Sequence, residues 1–185
     1  MATMISDGTD VVAFLEEQHA QIKAAFQHVQ ATTGADRETA FYALRRLLAV
    51  HETAEEEIVH PAARQALPDG DIVVDARLRE ENLAKQALSE LEDIDVDSAD
   101  FISRFSQLEL DVLAHAEKEE KEEFERLRSR FDPARLERMR EAVIIAESIA
   151  PTRPHPGIES QTAHVLMGPF ASMIDRARDM FARKG

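Results

Sequence analysis

The chain has 185 residues, no cysteine and a formal net charge of −14. That length suits one domain with a sizeable core, and the missing thiols exclude disulfides, zinc–thiolate sites and iron–sulfur clusters. The acidic balance argues against nucleic acid and anionic membrane as partners, while few glycines and many Ala, Leu, Glu and Arg residues predict an all-α protein.

The first predicted helix runs from about Asp10 to Ala31, and its apolar stripe of Val12, Leu15, Ile22, Phe26 and Val29 encloses His19. Thr33 to Asp36 reads as a turn, with Asp36 as N-cap of a second helix that continues to about Leu67 and is bent or ended near Pro61. There Phe41, Leu44, Leu48, His51, Glu55, Ile58 and Ala62 keep heptad-like spacing, which puts His51 and Glu55 at core positions. A glutamate in such a place is costly unless a cation receives it.

Beyond the turn Pro68-Asp69-Gly70, a third helix from about Asp71 to Leu91 carries Val74, Leu78, Glu81, Lys85 and Leu88 in the inward register. A fourth follows the acidic stretch Asp93 to Asp100 and repeats the pattern with Phe101, Phe105, Leu108, Val112, His115 and Glu119. It ends at Phe131, where Asp132 as N-cap and Pro133 open a shorter helix to about Ile149. Three prolines between Pro151 and Gly157 make a linker to a last amphipathic helix, about Ser160 to Phe181, kinked at Gly168-Pro169. Residues 1–131 hold 29 acidic and 14 basic side chains, against 7 and 8 in residues 132–185. The expected architecture is an up-down-up-down four-helix bundle over 1–131 with a helical C-terminal extension over 132–185. Met1 to Asp10 has no leader character, and no apolar run approaches the roughly 18 residues that cross a bilayer; a cytoplasmic location is expected.

His51-x-x-x-Glu55 and His115-x-x-x-Glu119 each stack an imidazole and a carboxylate on one helix face. With His19 and Glu81 they bring three histidines and three glutamates onto the inward stripes of four successive helices, where uncompensated carboxylates would repel one another. His28 and His60 lie nine residues after His19 and His51, two and a half turns on, and should point away from the ligand face. Tyr42, nine residues before His51, is read as a packing residue for the same reason, and His155 and His164 in the tail have no ligand geometry. Imidazole and carboxylate without sulfur suit iron, manganese or zinc, and a carboxylate-bridged pair in a bundle suits two irons ahead of manganese. Three carboxylates and an oxo bridge leave two ferric ions a single net positive charge.

The strings L-E-E-Q-H around His19, A-V-H-E-T-A-E-E-E-I-V-H-P around His51, E-E-N-L-A-K-Q-A-L around Glu81 and L-A-H-A-E-K-E-E-K-E-E-F around His115 resemble the hemerythrin-like, HHE cation-binding family over about residues 10–131. The resemblance implies His19, His51 and His115 as terminal imidazole ligands of an oxo- or hydroxo-bridged di-iron centre, with Glu55 and Glu119 as bridging carboxylates. Glu120 is the alternative to Glu119. The third helix departs from the oxygen-carrying hemerythrins, since Glu81 and Lys85 stand where they supply histidines, and Glu81 either ligates or pairs with Lys85. A carboxylate there favours the ferric state and peroxide chemistry over reversible oxygen carriage. The tail strings T-R-P-H-P-G and G-P-F-A-S-M-I-D-R-A-R-D look like those of a subgroup of actinobacterial hemerythrin-like proteins associated with catalase-like decomposition of hydrogen peroxide. The implied role is peroxide removal in oxidative or nitrosative stress defence by a monomer or homodimer. The alternative is non-enzymatic binding or sensing of iron, O2 or NO.

Overall fold

The computed structural model describes residues 10–150. The proline linker, the last amphipathic helix, His155 and His164 lie outside them. Helix α1 spans Val11–Ala31 and starts at Asp10, whose carboxylate accepts the Ala13 N–H at 2.8 Å. Helix α2, Gly34–Ala54, begins two residues before the expected cap Asp36, with Thr33 as its N-cap. The reason is Gly34. It adopts φ +59°, which favours glycine, and gives its N–H to the Asp97 carboxylate at 2.9 Å.

From Ala54 the helix continues through a widened π turn, Glu55–Val59, into α3, His60–Ala66, so Pro61 neither ends it nor stands in a regular interior. A proline donates no N–H and crowds the preceding turn, and the extra residue relieves that conflict. Helix α4 is Gly70–Leu91 and α5 is Ala99–Glu119, the latter capped by Ser98, whose hydroxyl accepts the Phe101 N–H at 3.1 Å. A second π turn, Glu120–Phe124, leads into α6, Glu125–Arg130. Helix α7, Pro133–Ile149, starts at Asp132, which accepts the Arg135 N–H at 2.8 Å as expected of an N-cap.

Helix α1 packs on α2 and α5, α4 packs on α5, and α3 on α4, closing a four-helix bundle of antiparallel neighbours. Helix α7 lies across α1, α2 and the first π turn, and seats Leu136, Met139, Val143 and Ala146 in the same core. That core comes in two halves. Val11, Val12, Leu15, Val59, Val74, Phe124 and Leu127 fill one; Ile22, Phe26, Phe41, Leu44, Leu48, Leu88, Phe101 and Phe105 fill the other. Each helix crosses from one half to the other at a polar residue: His19 on α1, His51 on α2, Glu81 on α4, His115 and Glu119 on α5. No helix of the described residues is long and apolar enough to cross a membrane.

Helices α3 and α4 meet closely at Gly70, where an added Cβ would lie 2.5 Å from the Ala63 carbonyl oxygen and 2.7 Å from Arg64 Cα. Both are backbone atoms and neither yields easily. Gly70→Ala should therefore lower unfolding stability by about 1–3 kcal/mol, measured by chemical denaturation; an unchanged midpoint would show that the α3–α4 corner has slack.

Candidate metal centre

The polar layer between the core halves is a tight cluster. His19, His51, Glu55 and Glu119 form one set of donors within 4.8 Å of one another, Glu81, His115 and Glu119 a second, and His60, Glu119 and Glu123 a third. Glu119 belongs to all three. Glu55, Glu119 and Glu123 are 0 % exposed and Glu81 1 %. Glu120, the other candidate, opens the second π turn, stands partly exposed and bonds to the outer nitrogen of His19, so Glu119 is the one that faces the centre.

His60 corrects the sequence expectation. It does not point to the periphery: it is 1 % exposed, with Nε2 2.7 Å from Glu81 Oε1 and Nδ1 2.9 Å from Glu123 Oε1. The nine-residue argument fails because the intervening turn is not α-helical. The His60 N–H bonds back to the Glu55 carbonyl, five residues earlier, so His60 takes the place that the fourth residue after Glu55 would hold in a regular helix. Pro61 was the available signal, since a helix must widen or break ahead of a proline. Glu123 was missed similarly; it is buried within the second π turn. His28 is exposed, as expected; Tyr42, read from the sequence as a packing residue, is exposed too and lies beneath the Arg45 guanidinium.

All four buried rings are held alike. Nδ1 of His19 meets Glu120 at 2.8 Å, that of His51 meets Gln18 Oε1 at 2.8 Å, that of His60 meets Glu123 at 2.9 Å and that of His115 meets Glu80 at 3.0 Å. An Nδ1 proton given to an outer acceptor leaves the Nε2 lone pair for the interior, as in metal-bound histidines. His51 Nε2 lies 3.2 Å from Glu55, and the Nε2 atoms of His19 and His115 lie 3.4 and 3.1 Å from the two oxygens of Glu119.

Most of these inner atoms approach one another without hydrogen-bond geometry. Both oxygens of Glu55 and of Glu119, Glu81 Oε2, and Nε2 of His19 and His115 are buried and unpaired. Each orphaned polar atom costs about 1–3 kcal/mol, and their convergence on one place is answered by a cation. The donors fit a metal, and nitrogen with carboxylate oxygen fits iron or manganese.

Protonation tells the same story. Burial, then the Glu119 carboxylate, pushes the Glu55 carboxyl well above its ordinary range. Burial and the neighbouring His19 pull His51 down to about 3, so it is neutral. Burial alone would lower His60 and His115 too, but carboxylates outweigh it: Glu123 and Glu81 raise His60 and Glu119 raises His115, both well above 6.5. Beside them Lys85 resolves the question about Glu81 only in part, for its ammonium contacts Glu56 and lies 3.7 Å from Glu52 and 3.6 Å from Glu81. Glu81 thus meets His60 through Oε1 and Lys85 through Oε2, and the latter makes no hydrogen bond.

A helical bundle with a buried histidine–carboxylate layer is a metal-binding bundle. The hemerythrin HHE cation binding domain matches residues 10–127, and the chain belongs to that family. Comparison with curated proteins and with solved structures finds no match.

Metal must displace the protons held by Glu55, His60 and His115. All three are raised above their ordinary ranges, so protons compete with metal at each of them. Ferrous iron affinity should rise from pH 6 to pH 8 with net proton release, read by titration calorimetry in buffers of different ionisation enthalpy; pH-independent binding without proton release would contradict this assignment.

Proposed function

We propose that the chain holds two iron ions and decomposes hydrogen peroxide, a catalase-like role in oxidative or nitrosative stress defence. The observation that carries this reading is Glu119, whose Oε2 faces His19 and whose Oε1 faces His115. One carboxylate so placed serves two neighbouring donor groups, as a bridging ligand does. On this reading His19, His51 and Glu55 would hold one ion and Glu81, His60 and His115 the other, with Glu119 facing both groups. Bound iron would supply the two-electron chemistry that converts two molecules of hydrogen peroxide into two of water and one of dioxygen.

The chain's own residues supply position and seclusion. Gln18, Glu80, Glu120 and Glu123 fix the four rings through Nδ1, and the apolar halves above and below keep bulk water from the layer. Non-enzymatic sensing is the second reading, and one observation favours it. Gln18 accepts from His51 Nδ1 and donates to Glu147 on α7, which links the centre to the helix that leads into the tail. A metal-dependent change in protease cleavage after Ile149 would support that reading.

Elemental analysis should find about two irons per chain, with a marked loss in His51→Ala and in His60→Ala. Iron-loaded wild type should release dioxygen from peroxide faster than the same concentration of free iron. Iron without oxygen release would leave a binding protein; no iron uptake on anaerobic loading would sink both readings.

A further inference from the structure

A cavity of about 230 Å³ opens between α4 and α5, walled by Leu83, Ala84 and Ala87 on one side and Leu108 and Val112 on the other. Its inner end is formed by Glu81, His115 and Glu52. A second pocket, about 10 Å³, lies against His19, His51 and His115 and is otherwise lined by Ile22, Leu48, Glu52, Val112, Leu113 and Ala116. The two share Glu52, Val112 and His115 as lining residues. These three are therefore the partition between an outer cleft and the face of the centre that carries unpaired Nε2 atoms.

We infer that the α4–α5 cleft is the entrance through which small neutral molecules reach the centre, and that Val112 and Glu52 set its narrowest point. The inference rests on the metal-centre reading above. Size is one argument: the inner pocket has room for one water-sized group, so one end of a two-atom molecule fits there while the other remains in the cleft. Charge is the second. The charged carboxylates of the cleft lining are Glu80, Glu81 and Asp111, and the ammonium of Lys118 is already paired to Glu80 at 2.6 Å. An acidic lining of this kind repels anions and is indifferent to peroxide or nitric oxide. Ala87 is the place to test it, since it is half-buried in the wall and no polar contact depends on it.

The test uses full-length ferrous-loaded protein, with nitric oxide as the neutral probe and azide as the anionic one, both followed by stopped-flow absorbance. Ala87→Trp fills the cleft and should slow nitric oxide association by about tenfold or more, and Val112→Ala widens the partition and should speed it severalfold. Iron content should stay at the wild-type level in both. Ser103→Trp, on the exposed face of α5, is the control and should leave the rate unchanged. Azide should bind more slowly than nitric oxide and gain from Asp111→Asn, which removes a negative charge from the cleft lining. Normal iron content with nitric oxide rates within twofold of wild type in both cleft variants would overturn the entrance while leaving the metal centre intact. Failure of the wild type to bind iron removes the centre itself, and the entrance with it.

Discussion

A carboxylate buried among apolar side chains must find a cation, and this constraint shapes the whole molecule. Taking one such charge out of water costs several kcal/mol, and Glu55, Glu81, Glu119 and Glu123 all lie within one layer. Imidazolium and Lys85 answer part of that charge. The rest is met by holding protons more tightly, for burial and the neighbouring carboxylates raise Glu55, and carboxylates raise His60 and His115, above their ordinary ranges. On the proposed reading these are the protons that a metal ion would displace.

The layer also explains why the core is divided. Apolar residues gather above and below it, and their packing clamps the helices so that the ligand-bearing turns face one another. Around the donors runs a further set of polar residues, each from a different helix than the ring it holds: Gln18 on α1 for His51, Glu80 on α4 for His115, Glu120 at the end of α5 for His19. A ring restrained at Nδ1 has one orientation left for Nε2. Two π turns serve the same end by re-aiming side chains, a recurring use of π bulges at functional sites.

Helix α7 belongs to this design as much as to the extension in which it begins. Its apolar face completes the core half beneath the centre, and Glu147 reaches Gln18, one bond from His51. The family match ends at residue 127, so this support comes from outside the matched segment.

The four bundle helices, their inward stripes and the two His-x-x-x-Glu pairs were legible in the sequence, because residues four apart share a face of any regular helix whatever surrounds it. Asp132 was likewise legible as a helix cap, by chemistry that is local to a few residues. His60 and Glu123 were not legible, since an angle computed at 3.6 residues per turn fails wherever a π turn intervenes. Nor were the partners of the rings, which lie 33 residues away for Gln18 and His51, 35 for Glu80 and His115 and 101 for His19 and Glu120. The sequence by itself determined which residues share a helix face, through local periodicity; only the tertiary structure decided which faces meet, which carboxylate stands at the centre and where the entrance lies, because those depend on packing between helices distant along the chain.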